Sequence, residues 1–330
     1  VKLSLHRLDD IRMTGKRHPY SSDFRIGLNR DLKIVAFQAT MYQNGGAATD
    51  LSPAILERTL FRSTNAYFIP NTEVTVYSCR TNLPPNTAFR GFGGPQGMFV
   101  IESAIAKAAM ELKVPARAIQ QRNFLSENDE CQYGQKATEV RIRDCFETLC
   151  RYHDIEKIAS ETELFNSTNE LQKKGMAVMP VCFGISFTNT PMNQARALVH
   201  IYQDGSIGIS TGAIEMGQGV STKLVQVAAR IFSVDASRVK IETTNTTRVA
   251  NTSPTAASAG ADLNGNALII ACNALLRRLR DTAAGMCGCT PDKIELKNES
   301  VFNNGTCTDI KWEQLVQKAF LDRVCLTENG

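Results

Sequence analysis

A chain of 330 residues, 43% hydrophobic and 21% charged, is long enough to bury a large core and to divide into two domains. Its 37 basic and 33 acidic residues are interspersed and leave a formal charge of +4, too weak for a nucleic-acid footprint, and no basic tract carries interleaved aromatics. The longest apolar stretches, such as 267–276, fall short of the roughly 20 residues that a membrane span needs, so no membrane partner is expected.

In chain order, VKLSLHRL at 1–8 and LKIVAFQATMY at 32–42 alternate like strands, with a loop expected over 15–24. The opening carries neither an initiator Met nor a signal-peptide core, and the sequence reads as an excerpt of something larger. Next comes NTAFRGFGGPQGM at 86–98, four glycines and a proline set among Phe89, Arg90 and Phe92. Glycine admits positive φ and close approach to the main chain. Behind it, 99–112 places Val100, Ile101, Ala104, Ile105, Ala108, Ala109 and Leu112 on one helical face, and Val114-Pro115 stops the helix.

A further helical pattern covers 143–158, and the polar stretch 161–174 is the expected boundary region between domains placed at 1–145 and 146–330. Three strands are then expected, 176–187, 195–202 and 206–211, the last two joined by the hairpin dipeptide Asp204-Gly205. Helical spacing returns at 221–232 behind EMGQG and at 263–279 behind NTSPTAASAGAD. The device of a small, pliant loop heading a helix thus occurs three times in an α+β chain of two mixed layers of sheet and helix.

Unpaired amides at a helix start, with the positive end of the helix dipole, suit an anion. The loop at 215–219 offers Gln218 and main-chain donors from 217 to 219, and the loop at 251–258 offers the hydroxyls of Thr252, Ser253, Thr255 and Ser258. Neither these nor GFGGPQG has the spacing of a P-loop or a dinucleotide fingerprint. Each loop alone reads as a structural turn; three together point to one large anionic cofactor. Ten scattered cysteines show no C-x-x-C pair and four histidines stand alone, so no protein-ligated metal is expected, and reduced thiols suit a cytoplasmic location.

NTAFRGFGGPQGM, FGISFT at 183–188, EMGQGVSTKLVQVAAR at 215–230 and NTSPTAASAGADLNG at 251–265 resemble the molybdopterin-binding region of the molybdenum hydroxylases, the xanthine dehydrogenase family. TGKRHPY at 14–20 and LERTLF at 56–61 are similar to the same family. The resemblance implies molybdopterin with molybdenum as cofactor, with FAD and 2Fe-2S clusters on further domains or subunits, in a homodimer of the complete enzyme. Metal-bound hydroxide would attack a purine substrate, taking hypoxanthine and xanthine to urate, with hydride passing to a sulfido ligand. Main chain at Phe89, Arg90, Gly91 and Phe92 would pack against the metal and dithiolene. Met216, Gly217, Gln218, Thr255 and Ser258 would hold the pterin and its phosphate, and Ala256 and Ala257 would leave room for substrate.

By the same resemblance, Phe92 and Phe187 would clamp the flat substrate and Thr188 would hydrogen-bond its edge. Arg58 would hold a purine carbonyl and stabilise charge growing on the ring, since purine-oxidising members carry arginine there and aldehyde oxidases generally do not. The family's general-base glutamate lies in a G-E-P motif that does not occur in these 330 residues, so the chain alone is expected to be inactive. An aldehyde oxidase-type hydroxylase is the alternative within the family. A noncatalytic phosphate- or nucleotide-binding module is the alternative outside it.

Overall fold

A computed structural model describes residues 3–187, 189–242, 244–245, 248–249 and 251–330. The chain divides into two compact units, residues 1–184 and 185–330. Among the described residues no helix is long and apolar enough to cross a membrane.

The first unit opens with helix α1, Arg7–Met13, where alternation predicts a strand. The His6 ring accepts from the Leu8 amide, and Asp9 and Asp10 stand in the first turn, where acidic charge favours a helix start. Strands β1, Tyr20–Leu28, and β2, Ile34–Gly46, pair antiparallel from Tyr20 with Gln43 to Leu28 with Ile34, so β1 takes up part of the expected loop. Helix α2, Ser52–Phe61, begins on Pro53 and leads to β3, Thr72–Arg80, which pairs parallel with β2. The helix expected at 99–112 is α3, Gly94–Leu112, with Val100, Ile101, Ala104, Ile105, Ala108 and Ala109 buried and Leu112 exposed. Helix α4, Ala116–Asn123, adds Ile119 to a core that includes Phe37, Met41, Ile101 and Ile105.

Helices α5, Ile142–Tyr152, and α6, Ile155–Thr168, follow, and the division expected at 145/146 falls inside α5. The chain beyond α6 stays with the first unit as far as Gly184. No strand forms over the described part of 176–187, because side chains rather than a neighbouring strand take its backbone groups.

In the second unit β4, Ala197–Ile201, and β5, Ile207–Thr211, form the antiparallel hairpin that Asp204-Gly205 predicts. Helix α7, Val220–Phe232, leads to β6, Val239–Ile241, parallel to β5. Helix α8, Gly260–Cys287, buries Leu268, Ala271, Cys272, Leu275 and Leu279. A meander of β7, Ile294–Lys297, β8, Ser300–Asn303, and β9, Thr306–Lys311, leads to α9, Trp312–Leu321. Strand β10, Thr327–Asn329, closes the sheet in the order β10-β4-β5-β6. Trp312, fully buried, donates its indole N–H to the Gly205 carbonyl at 2.7 Å and so ties α9 to the hairpin turn.

Both units repeat one order: an antiparallel hairpin, a helix, a parallel third strand, then a long helix behind a loop of small residues. In the first unit these are β1, β2, α2, β3 and α3; in the second, β4, β5, α7, β6 and α8.

Candidate functional site

In the first unit the loop after β3 turns into α3 through three successive left-handed residues, Gly91, Phe92 and Gly93, with φ of 95°, 49° and 91°. The Phe92 amide donates to the Phe89 carbonyl at 2.8 Å and the Gly94 amide to the Gly91 carbonyl at 3.0 Å. Positive φ in a bulky aromatic such as Phe92 is strained and persists only where its surroundings enforce it. Helix α2 crowds the residue that follows Phe92. A Cβ on Gly93 would lie 2.2 Å from the Ile55 carbonyl oxygen, and one on Gly97 2.5 Å from that of Thr59. On Gly94 it would meet the Phe183 ring at 2.8 Å. These glycines therefore serve the packing of α3 on α2 and on Phe183, whereas sequence reading assigned the pliant backbone to cofactor approach. The buried Thr59 hydroxyl locks the contact, lying within 3.1 Å of the carbonyls of Ile55 and Gly93 and 2.9 Å from the Tyr20 hydroxyl.

Phe89 is half-exposed, with the Arg17 guanidinium carbon 4.5 Å from its ring centroid. Arg17 also donates to the Arg90 carbonyl at 2.6 Å, so the main chain of the expected cofactor loop is held from β1's side. Arg58, in the last turn of α2, donates to the Gly184 carbonyl at 3.1 Å and stands 5.9 Å from the Phe183 ring. Burial first, and the neighbouring Arg62 guanidinium second, hold its pKa below the ordinary arginine value. Arg62 donates to the Cys182 carbonyl at 3.2 Å. Both arginines thus address the backbone that leads into FGISFT.

In the second unit the loop ahead of α7 carries Gly217 and Gly219 at φ of 90° and 76°, with open space where a Cβ would stand. Several of its donors are already engaged. The Glu215 carboxylate accepts from the amides of Gly217, Gly219 and Ser221 at 2.8, 3.0 and 3.0 Å, and these bonds hold its pKa below the usual carboxylate value. Gln218 Oε1 accepts from the Met216 amide at 2.6 Å, and Nε2 donates to the Ile214 carbonyl. The expectation of free main-chain donors from 217 to 219 is corrected at 217 and 219, whose amides the protein's own carboxylate takes; the Gln218 amide donates to no acceptor among the described residues. An acid immediately before a glycine-rich helix start was the available signal.

The loop ahead of α8 differs. Ala257 and Ser258 are successive left-handed residues with φ of 55° and 56°, a strained pair without glycine. Their amides, and the exposed Ser258 hydroxyl, donate to no acceptor among the described residues. Successive N–H groups in such a conformation form a concave anion or oxygen site, so this loop fits a polar cofactor group. Thr255 joins the two loops, its hydroxyl accepting from the Ile214 amide at 2.9 Å. The Ala257 carbonyl accepts from the Ser186 amide at 2.9 Å, which brings the FGISFT segment to this loop. Phe187 is clamped by Asn193, whose Oδ1 accepts from its amide at 2.8 Å and whose Nδ2 donates to its carbonyl at 3.0 Å. Ala256 lies in the same loop, half-buried; Thr188 lies outside the described residues.

Sequence reading missed Glu215, Asn193, Thr59 and Glu102. Glu102 was legible as a lone acid on the apolar face of α3 beside Ile101 and Ile105; Asn193 carries no periodic signal.

Two family models match, each described as a molybdopterin cofactor-binding domain, over residues 1–124 and 148–330. Xanthine dehydrogenase/oxidase of Mus musculus is 39% identical over 330 residues, 100% of this chain and 23% of that protein. Xanthine dehydrogenase 1 of Arabidopsis thaliana is 42% identical over 284 residues, 86% of this chain and 21% of that protein. The chain therefore spans less than a quarter of the length of these relatives. Quinoline 2-oxidoreductase from Pseudomonas putida 86 shares the fold, with a TM-score of 0.80 at 19% identity over 99% of this chain and 44% of that one. With cofactor-domain models covering most of its length and whole-chain relatives near 40% identity, the chain belongs to the xanthine dehydrogenase family and carries its molybdopterin cofactor-binding domains.

Proposed function

We propose that this chain forms part of a molybdenum hydroxylase that oxidises purines, hypoxanthine and xanthine to urate. The observation that carries the reading is the strained, donor-bearing pair Ala257-Ser258 at the head of α8, in a chain of this family. When bound, the molybdenum–pterin group supplies the two-electron oxidation. The chain's own residues bind and orient.

Ala257 and Ser258 would donate to the cofactor through amides and hydroxyl, with Thr255 fixing the loop that presents them. Met216 and Gly217, whose amides Gln218 and Glu215 take, would give shape, and the Gln218 amide would donate. In the first unit, Phe89, Arg90 and Gly91 would border the cofactor along a main chain fixed by Arg17 and α2. Phe92 and Phe187 would each contact the flat substrate, about 0.5–1.5 kcal/mol apiece beyond burial. Thr188 would hydrogen-bond its edge. FAD and 2Fe-2S centres on other domains or subunits, and a homodimer of the complete enzyme, belong to the same reading.

Arg58 would hold a purine carbonyl and the charge that develops during attack. Replacing Arg58 with Ala in the complete enzyme is expected to lower kcat/KM for xanthine by about 10–100-fold while leaving oxidation of a simple aldehyde largely intact. Equal loss on both substrates would reduce Arg58 to its other bond, the Gly184 carbonyl, and remove the purine-selective role.

A further inference from the structure

Residues 178–184 form no strand, yet their backbone is engaged at every second residue, the period of an extended chain. Gln120 Nε2 donates to the Val178 carbonyl at 2.9 Å and Asn65 Nδ2 to the Pro180 carbonyl at 2.8 Å. Asn65 Oδ1 accepts from the Cys182 amide at 3.1 Å, Arg62 donates to the Cys182 carbonyl and Arg58 to the Gly184 carbonyl. Side chains from α2, the turn after it and α4 thus replace the partner strand that sequence periodicity predicts.

Behind them lies one carboxylate that the proposed reaction does not use. Glu102 Oε1 accepts from Asn65 Nδ2 at 2.9 Å and from the Tyr67 hydroxyl at 2.7 Å; Oε2 accepts from Gln120 Nε2 at 2.9 Å. Asn65, Tyr67 and Gln120 are each 5% exposed or less. Burial raises the Glu102 pKa and the donors Tyr67, Gln120 and Asn65 oppose the rise; with both oxygens engaged as acceptors, the carboxyl compels both amides to turn their NH2 groups toward it. The second hydrogen of each NH2 then points at Pro180 or Val178. Reversing either amide would set its oxygen against both the carboxylate and a carbonyl.

We infer that Glu102 is a positioning residue: by fixing the orientation of Asn65 and Gln120, it sets the path of the segment that delivers FGISFT. This rests on the reading of that motif as substrate-contacting.

The test uses the complete protein with Glu102→Gln. The new amide keeps Oε1 as acceptor for Asn65 and Tyr67 but presents NH2 to Gln120, which must reverse and release Val178. Exchange of backbone amides over 178–184, followed by mass spectrometry, is expected to accelerate about tenfold. The purine KM should rise several-fold more than kcat falls, and Glu102→Asp should recover part of both. Gln120→Met removes the Val178 bond, together with the bond to Glu102, while leaving residue 102 unchanged, and should reproduce the faster exchange; it serves as well should Glu102→Gln fold poorly. Unchanged exchange in Gln120→Met, or in a folded Glu102→Gln, overturns the inference. So does faster exchange with unaltered purine kinetics. A wild-type enzyme that oxidises no purine would instead sink the functional reading, while the exchange result still decides whether Glu102 governs the segment.

Discussion

Gly93 and Gly134 separate two reasons for a glycine that a sequence cannot tell apart. Both have positive φ, 91° and 84°, but a Cβ on Gly93 would strike the Ile55 carbonyl at 2.2 Å, whereas Gly134 faces open space. Gly93→Ala should therefore combine backbone strain with overpacking and destabilise the protein by about 2–5 kcal/mol. Gly134→Ala should cost only the strain, about 1 kcal/mol. Urea midpoints of the two variants check the difference, and equal losses would deny α2 its part in shaping the FRGFGG loop. At this scale the sequence showed that a glycine was needed at 93 but not why, because the atoms that exclude a side chain sit 38 and 34 residues earlier, in Ile55 and Thr59. Arg58 is a similar case. Its motif was legible, while its bond to a carbonyl 126 residues away was not.

Helix α7 shows how an element can cancel a site its own sequence advertises. The head EMGQG has the composition of an anion loop, and Glu215 closes it from within by taking three amides. That carboxylate's pKa is lowered in the fold, so its stabilisation is present above the ordinary carboxylate pKa and is lost as pH falls through the depressed value. Glu215→Gln should lower the melting temperature at neutral pH, and the difference from the parent should shrink on acidification. Thermal melts from about pH 7 down to about pH 3 measure it, and a pH-independent difference would show that the charge is not what caps α7. Helices α3, α7 and α8 were legible from apolar periodicity, as was the β4–β5 hairpin from Asp204-Gly205. Helix α1 and the chain over 176–184 were misread for a common reason. Alternation records which residues can face two ways, but a strand needs a partner edge, and at 178–184 amides and guanidiniums supply it.

In the whole chain one order of hairpin, helix, parallel strand and long helix occurs twice, although no sequence repeat announces it. Hydrogen-bond register and layer order tolerate wide change in side chains, which is why the architecture recurs while the letters do not. The strained loop sits at the same place in both copies, ahead of the long helix: Gly91 to Gly93 before α3, Ala257 and Ser258 before α8. The pair before α8 suits a loop that presents main chain to a bound group, whereas the glycines before α3 let it pack against α2. The complete protein, purified without chelators, should carry molybdenum near one equivalent per chain by elemental analysis. Its absence from an otherwise folded preparation would favour a binding module without redox chemistry.

Most bonds that hold residues 178–184 end on main-chain atoms, the carbonyls of Val178, Pro180, Cys182 and Gly184 and the amide of Cys182, while Arg62 also donates to Cys182 Sγ at 3.8 Å. Over 178–181 such grips are blind to side-chain identity, whereas the Phe183 ring takes the guanidiniums of Arg58 and Arg62 and a Cβ on Gly184 would lie 2.5 Å from Arg62. Evolution can therefore rewrite the letters at 178–181 while the ribbon keeps its course, and is held closer to the present ones at 182–184.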